Sequence, residues 1–99
     1  MTPAEDFLSD LEQIALPASL AGRLFGVNRA TMYRWVAGES RIPEAARRIL
    51  KAEVAACRAH SYLSADGSRY WQGFRNGYPR GPEVATRAEA LRHAVELAP

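Results

Sequence analysis

The chain has 99 residues, which is room for one compact domain or for a small domain with an appendage. Apolar residues make up 47% of it, which excludes an intrinsically disordered chain, and no apolar run approaches the roughly 20 residues of a membrane span. The single cysteine, Cys57, excludes an internal disulfide, and the acidic start lacks the features of a secretory signal. We therefore expect a cytoplasmic protein.

The charge is unevenly distributed along the chain, although the net charge of +2 by itself indicates no particular partner. The first fifteen residues carry four acidic side chains and no basic one. Residues 23–58 carry eight basic side chains against three acidic ones, and all but one of the thirteen basic residues are arginine. Because the planar guanidinium group bonds bidentately, this composition suits the recognition of phosphate and guanine.

The spacing of apolar residues predicts four helices in the first sixty residues, joined by short connections. Thr2 is the expected cap of the first helix, Gly26 ends the second, and Asn28 caps the third. The fourth helix opens at Pro43 and carries Cys57 on its apolar face, where we expect a buried thiol and not a redox sensor. The predicted bounds of the four helices are residues 3–15, 17–25, 29–37 and 43–59.

The last forty residues predict a β-hairpin and a final helix. A strand over residues 69–74 leads into Asn76-Gly77, which is a strong signal for a hairpin turn. Two prolines, Pro79 and Pro82, restrict the return strand to an edge or an irregular path. Thr86 and Glu89 form the pattern of a capping box ahead of a helix at about 87–97.

Residues 18–35 carry the spacing of two helices that cross over a tight turn. Small residues are needed where the helices touch, and a positive φ is needed in the turn. Gly22 and Gly26 meet these two needs, Val27 is the aliphatic residue just after the turn, and Met32 and Trp35 are apolar positions of the second helix. On these residues, the segment resembles the helix-turn-helix of the phage repressor and Cro (Xre-type) family of transcriptional regulators. The resemblance covers roughly residues 4–55 and extends to Gly38 and to Ile42-Pro43, which follow the second helix of the motif.

This sequence departs from the family pattern at two positions. Ala18 stands where the family often has a glutamine that contacts a phosphate, and Gly22 stands where alanine is usual. Glycine inside a helix costs up to about 1 kcal/mol relative to alanine. The expected fold is mostly α, with a helix-turn-helix domain of four helices over residues 1–60 and a β-hairpin plus helix extension over residues 61–99.

The resemblance implies that the exposed face of the third helix enters the major groove of double-stranded DNA. The expected base-contacting residues are Asn28, Arg29, Ala30, Tyr33 and Arg34. Arginine reads guanine, asparagine reads adenine, and Ala30 or the methyl group of Thr31 can meet a thymine methyl group. The expected phosphate contacts come from Arg23, Thr31 and Arg41. The alternative for the arginines is an ordinary solvated helix face.

No pattern in the sequence predicts catalysis, a cofactor or a metal site. His60 and His93 lie in separate segments, without a cysteine or carboxylate at metal-ligand spacing. A phosphate-binding glycine loop and a nucleophile elbow are both lacking. We therefore do not expect an enzyme.

Aromatic residues cluster around the predicted hairpin, interleaved with arginines. They are Tyr70, Trp71, Phe74 and Tyr78. Such a ribbon could form a dimer interface, cap the helical core, contact DNA as a wing beside the third helix, or dock a protein partner.

The hypothesis from sequence is a transcriptional repressor that binds an inverted-repeat operator as a homodimer, with half-sites roughly 34 Å apart. A phage or prophage autoregulator would fit the size of the chain. The alternative is an antitoxin-like interaction module, which binds a partner through the hairpin and binds DNA only for autoregulation.

Overall fold

The computed structural model describes residues 1–97, which form five helices and one three-stranded sheet. The elements in chain order are α1 Pro3–Gln13, α2 Ala18–Phe25, α3 Arg29–Val36, α4 Glu44–Ala56, β1 Cys57–Leu63, β2 Arg69–Arg75, β3 Tyr78–Val84 and α5 Arg87–Ala94. The chain divides into two compact units, residues 1–55 with Leu97 and residues 56–96. The expected order of four helices, β structure and a last helix is confirmed, but the β structure has three strands instead of two.

Local capping explains where the first three helices begin and end. Thr2 and Glu5 form a reciprocal capping box, in which the Glu5 amide donates to the Thr2 hydroxyl at 3.1 Å. Asn28 caps α3 by accepting a hydrogen bond from the Thr31 amide at 2.8 Å. Gly26 ends α2 in the left-handed conformation, with a φ of 71°. These ends agree with the sequence expectations to within two residues.

An aromatic cluster forms the core of the first unit. The ring of Phe7 lies 5.5 Å from that of Phe25 and 6.0 Å from that of Trp35, and the Phe25 and Trp35 rings are 5.9 Å apart. These separations suit tilted and edge-to-face packing. Met32 and Leu50 are fully buried. Trp35 therefore belongs to the core, as its helical position predicts, and α3 is anchored by the face opposite to its exposed residues.

The predicted end of the fourth helix, at residue 59, is wrong. Helix α4 ends at Ala56, and Cys57 begins β1, which pairs antiparallel with β2 over seven residues. Cys57 is buried, as expected, but it lies on a strand. The spacing of Val54 and Cys57 fits a helix, yet the pairing of β1 with β2 satisfies the backbone over the whole segment and overrides that local pattern.

The sheet has the order β1-β2-β3 and is antiparallel throughout. The β2–β3 turn is the predicted two-residue Asn-Gly turn, because Asn76 and Gly77 have φ values of 50° and 85°. Strand β3 lies at an edge, as its prolines require, and its register with β2 shifts between Trp71 and Gly73.

Helix α5 packs on one face of the sheet at very short range. A Cβ atom on Gly73 would collide with the carbonyl oxygen of Ala90, so the absence of a side chain on β2 permits this approach. Leu91 and Ala94 are buried on the same helix. The helix starts at its Thr86 cap, as expected, but ends at Ala94, short of the predicted residue 97. The end of the domain predicted over 61–99 lies outside the described residues.

Candidate nucleic-acid interface

Helices α2 and α3 approach each other closely across the turn at residues 26–28. The amide of Val27 donates to the carbonyl oxygen of Gly22 at 3.0 Å. A Cβ atom on Gly22 would collide with the carbonyl oxygen of Val27. Gly22 is therefore required by the backbone path of this turn, and the alanine that the family resemblance makes usual at this position would not fit without a shift.

The outer face of α3 carries the residues expected to read bases. Arg29, Ala30 and Arg34 are exposed, and 48% of Tyr33 is accessible to solvent. On the opposite face Met32 is fully buried, which fixes the rotation of the helix about its axis. These four outward residues project from about one and a half turns of helix, a compact surface that fits the major groove.

Asn28 lies at the exposed start of α3, but its side chain is already engaged. Its Oδ1 atom accepts the hydrogen bond from the Thr31 amide, which leaves the second lone pair of Oδ1 and the two Nδ2 donors for a ligand. A bidentate contact with adenine needs both the oxygen and the nitrogen of the side-chain amide. A contact of Asn28 with adenine would therefore share Oδ1 between the helix cap and the base. Thr31, which is expected to contact a phosphate, is partly buried.

Acidic residues of α1 neutralise much of the positive charge of α4. The ammonium group of Lys51 lies 2.7 Å from the Asp10 carboxylate and 3.3 Å from that of Asp6, and Arg47 lies 4.0 Å from Asp6. The hydrogen bond with Asp10 is the largest cause that raises the pKa of Lys51 above its ordinary value of 10.5. Arg48, at the surface, pairs with Glu44 at 2.8 Å.

The arginines of the helix-turn-helix and its flanks have no such neutralising partner. Within residues 1–97, no carboxylate lies within ion-pair distance of the guanidinium groups of four exposed arginines. These are Arg23, Arg29, Arg34 and Arg41. The basic region predicted over residues 23–58 is thus divided in two. The charges of Arg47, Arg48 and Lys51 on α4 are compensated within the protein, and the charges on α2, on α3 and after α3 are available to an external anion.

The aromatic residues of the predicted hairpin do not form one cluster. Regular pairing with β1 makes residues alternate between the two faces of β2. Trp71 therefore shares the α5 side with Gly73, and Tyr70 and Phe74 share the other face. Tyr78, on β3, is 73% exposed.

The face of the sheet opposite α5, called the open face below, also carries His60 and Tyr62 of β1. The rings of Tyr62 and Tyr70 stack at 5.4 Å, and His60 meets Phe74 edge to face at 5.3 Å. The sequence does not predict these positions for His60 and Tyr62, because its apolar spacing predicts a helix up to residue 59 and no strand over residues 60–68. The alternation of small and large side chains over residues 57–62 was the signal that could have revealed β1.

A metal site and a membrane-spanning helix are both absent from the part of the chain that the structure describes. No group of three or more histidine, cysteine, aspartate and glutamate side chains over residues 1–97 is arranged to hold a metal ion. Nor is any helix there long and apolar enough to cross a membrane. Comparison with protein-family models, with curated proteins and with solved structures gave no match.

Proposed function

We propose that this protein is a sequence-specific regulator of transcription that binds double-stranded DNA through α2 and α3. One observation carries the proposal. The arginines without carboxylate partners in the first unit lie on or beside the helix pair, and the other basic residues of that unit are neutralised by α1 or by their own helix. An unpaired arginine face on an anchored helix suits a polyanion with a groove of about 12 Å.

Helix α3 would read the bases from the major groove. Arg29 and Arg34 suit guanine, whose O6 and N7 atoms accept a bidentate pair of hydrogen bonds. Ala30 suits the methyl group of thymine, and the Tyr33 hydroxyl would reach a phosphate or sugar. Arg23 and Arg41, which flank the reading helix, would bind phosphates and set its register without reading sequence.

The regulator would act in the cytoplasm as a homodimeric repressor on an inverted repeat, since one helix in one groove reads too few bases for selective binding. Half-sites would then be about one helical turn apart. The resemblance of residues 4–55 to phage repressor and Cro proteins supports this mode of action and supports a role as a phage or prophage autoregulator.

The test starts by selecting bound sequences from a random duplex pool and then compares arginine variants on the selected duplex and a scrambled one. Arg34→Ala should lose about 1–3 kcal/mol on the selected duplex alone. Arg23→Ala should weaken both duplexes alike and reduce the slope of log K against log salt by about 0.9. The matched control is Arg48→Ala, because Arg48 is exposed but neutralised by Glu44. The proposal fails if no sequence is enriched, or if Arg34→Ala and Arg48→Ala behave alike.

A second candidate function is an antitoxin-like module that binds a protein partner through the sheet. The stacked pair of Tyr62 and Tyr70 supports it, because Tyr62 is 40% exposed and tyrosine is enriched in protein interfaces. A double variant, Tyr62→Ser with Tyr70→Ser, separates the two functions. It should leave operator binding by the folded protein unchanged if the sheet serves only a protein partner.

A further inference from the structure

The two edges of the sheet are built differently. The edge strand β3 contains Pro79, Pro82 and an irregular register, all of which obstruct pairing with another strand. The side chain of Gln72 also donates to the carbonyl oxygens of Arg80 and Gly81, both at 3.0 Å. The opposite edge, β1, has seven residues without proline, lysine or register shift, and a side chain reaches the edge at its start, where Arg58 donates to the carbonyl oxygen of Cys57 at 2.8 Å. Natural sheets rarely leave such an edge unprotected, so β1 has the features of a strand with a partner.

The hydrogen-bond pattern shows which groups of β1 face outward. Asn76 donates to the carbonyl oxygen of Ala56, and Ser64 donates to that of Ser68, so these pairs belong to the bonded set of the β1–β2 ladder. Bonded and non-bonded pairs alternate in an antiparallel ladder. The backbone groups of Ala59, Ser61 and Leu63 therefore point away from β2. Within residues 1–97, no other strand pairs with this edge.

We infer that β1 pairs antiparallel with β1 of a second copy of this chain, so that the two sheets form one continuous six-stranded sheet. The inference rests on the homodimer of the proposed function and names the surface that forms it. The pairing is centred on His60, because this register pairs all seven residues of the strand and keeps the outward backbone groups opposite one another. Ala59 of each copy then exchanges hydrogen bonds with Ser61 of the other.

The side chains of β1 are self-complementary in this register. On the open face, the guanidinium group of Arg58 lies opposite Tyr62 of the second copy, which is a favourable pairing of a cation with an aromatic ring. On the face that carries α5, Cys57 lies opposite Leu63 of the second copy, and Leu63 is 67% exposed in the single chain. Arg58 is the one formally charged residue of the strand, so the pairing brings no two fixed like charges together.

The second copy fits this edge better than a nucleic acid does. An exposed strand edge offers alternating N–H and C=O groups at a spacing that only another strand matches. The edge strand also continues the aromatic open face, in which Tyr62 stacks on Tyr70 and His60 meets Phe74. In the dimer, the open faces of the two copies would form one surface.

The first test blocks the edge without disturbing the sheet of one chain. The Ser61→Pro variant removes an N–H group that points away from β2, together with the hydroxyl that accepts from Arg69 at 2.7 Å. Ser61→Ala is the matched control, because it loses the same hydroxyl and retains the N–H. Sedimentation velocity without DNA should show a dimer for the full wild-type chain and for Ser61→Ala, and a monomer for Ser61→Pro with a native circular dichroism spectrum. A monomeric wild-type chain, or a folded Ser61→Pro variant that still dimerises, would overturn the inference.

The second test checks the register and remains decisive if Ser61→Pro does not fold. A non-bonded antiparallel pair has Cα atoms about 4.5 Å apart, which lies within the range of about 4.4–6.8 Å for disulfides. His60→Cys should therefore form a disulfide between copies on mild oxidation, and Ser68→Cys, in the exposed β1–β2 turn, should not. Failure of His60→Cys to cross-link, or equal cross-linking of both variants, would overturn the inference.

The outcome for dimerisation is distinguishable from that for DNA binding. A chain that dimerises through β1 but enriches no DNA sequence would refute the proposed function and retain this interface. A chain that binds a selected duplex, but is monomeric or dimerises in spite of Ser61→Pro, would refute the interface and retain DNA binding. A monomer whose β1 edge is occupied by a strand of another protein would also refute pairing with a second copy.

Discussion

The family resemblance and the structure make opposite predictions for the Gly22→Ala substitution. By the resemblance, alanine is the usual residue and glycine only weakens α2. In the structure, the added Cβ atom would collide with the carbonyl oxygen of Val27, which is a backbone atom of the turn. This oxygen cannot rotate away as the end of a flexible side chain would. We therefore expect Gly22→Ala to destabilise the protein.

The magnitude follows from two opposing effects. Replacing glycine by alanine inside a helix gains about 1 kcal/mol of helix stability. Inserting a methyl group into a closely packed site costs about 1–3 kcal/mol in displaced backbone and neighbours. The hydrogen bond from the Val27 amide to the Gly22 carbonyl, at 3.0 Å, ties the turn to the helix and resists that displacement. The net expectation is a loss of about 1 kcal/mol, which lowers Tm by about 4–8 °C in a domain of this size.

Thermal and urea unfolding of the two proteins measure this difference. The control is Ser19→Ala, on the exposed side of the same helix, which should change stability by less than about 0.5 kcal/mol. A Gly22→Ala protein that is more stable than wild type would show that the turn relaxes without cost. The backbone path would then not require glycine at this position.

Three further predictions concern stability. Gly73→Ala should cost about 1–3 kcal/mol in urea unfolding, because its Cβ atom would meet the Ala90 carbonyl oxygen. The pKa of Asp66 is lowered from 3.8 to about 2, chiefly by the hydrogen bond from the Ser64 hydroxyl. The stabilising effect of the Asp66 carboxylate is therefore present above pH 3.8 and is lost as the pH falls toward 2. The Asp66→Asn variant should lack this part of the acid dependence of Tm. The pKa of Lys51 is raised, so the stabilising effect of its ammonium group is complete below pH 10.5 and is lost above the raised pKa. A Lys51→Met chain should lack this decrease in Tm at alkaline pH. A profile of Tm against pH that is the same as for the wild type would refute the pairing of Lys51 with Asp10.

The parts of the fold that the sequence predicts well are those determined by neighbouring residues. The caps at Thr2 and Asn28 act over three residues, and the Asn76-Gly77 turn acts over two. Strand β1 is not among the predicted elements, because it depends on pairing with β2, in which Cys57 lies opposite Arg75. That partner is distant in sequence, and the helical spacing that continues through Cys57 outweighs the short alternation of small and large side chains over residues 57–62.

The candidate site shows the same division between local and distant causes. Helical periodicity is enough to predict that Arg29 and Arg34 face outward, because the buried residues of α3 lie on the opposite side. It does not reveal which basic residues are neutralised. That information depends on the packing of α1 against α4, which brings Asp10 within 2.7 Å of Lys51 across forty-one positions of sequence.

The acidic residues near the start of the chain therefore determine which basic residues of the first unit remain without a carboxylate partner. Asp6 and Asp10 lie on the side of α1 that faces α4, and Asp10 is almost fully buried there. An ion pair of this kind contributes little net stability, because desolvation offsets most of the attraction. Its clearer effect is on the distribution of charge, since it removes Lys51 from the set of cations that an external polyanion would meet. The basic residues of the first unit that keep no carboxylate partner lie on α2, on α3 and at Arg41, so the position of the unpaired charge depends on the acidic residues of α1 as much as on the arginines.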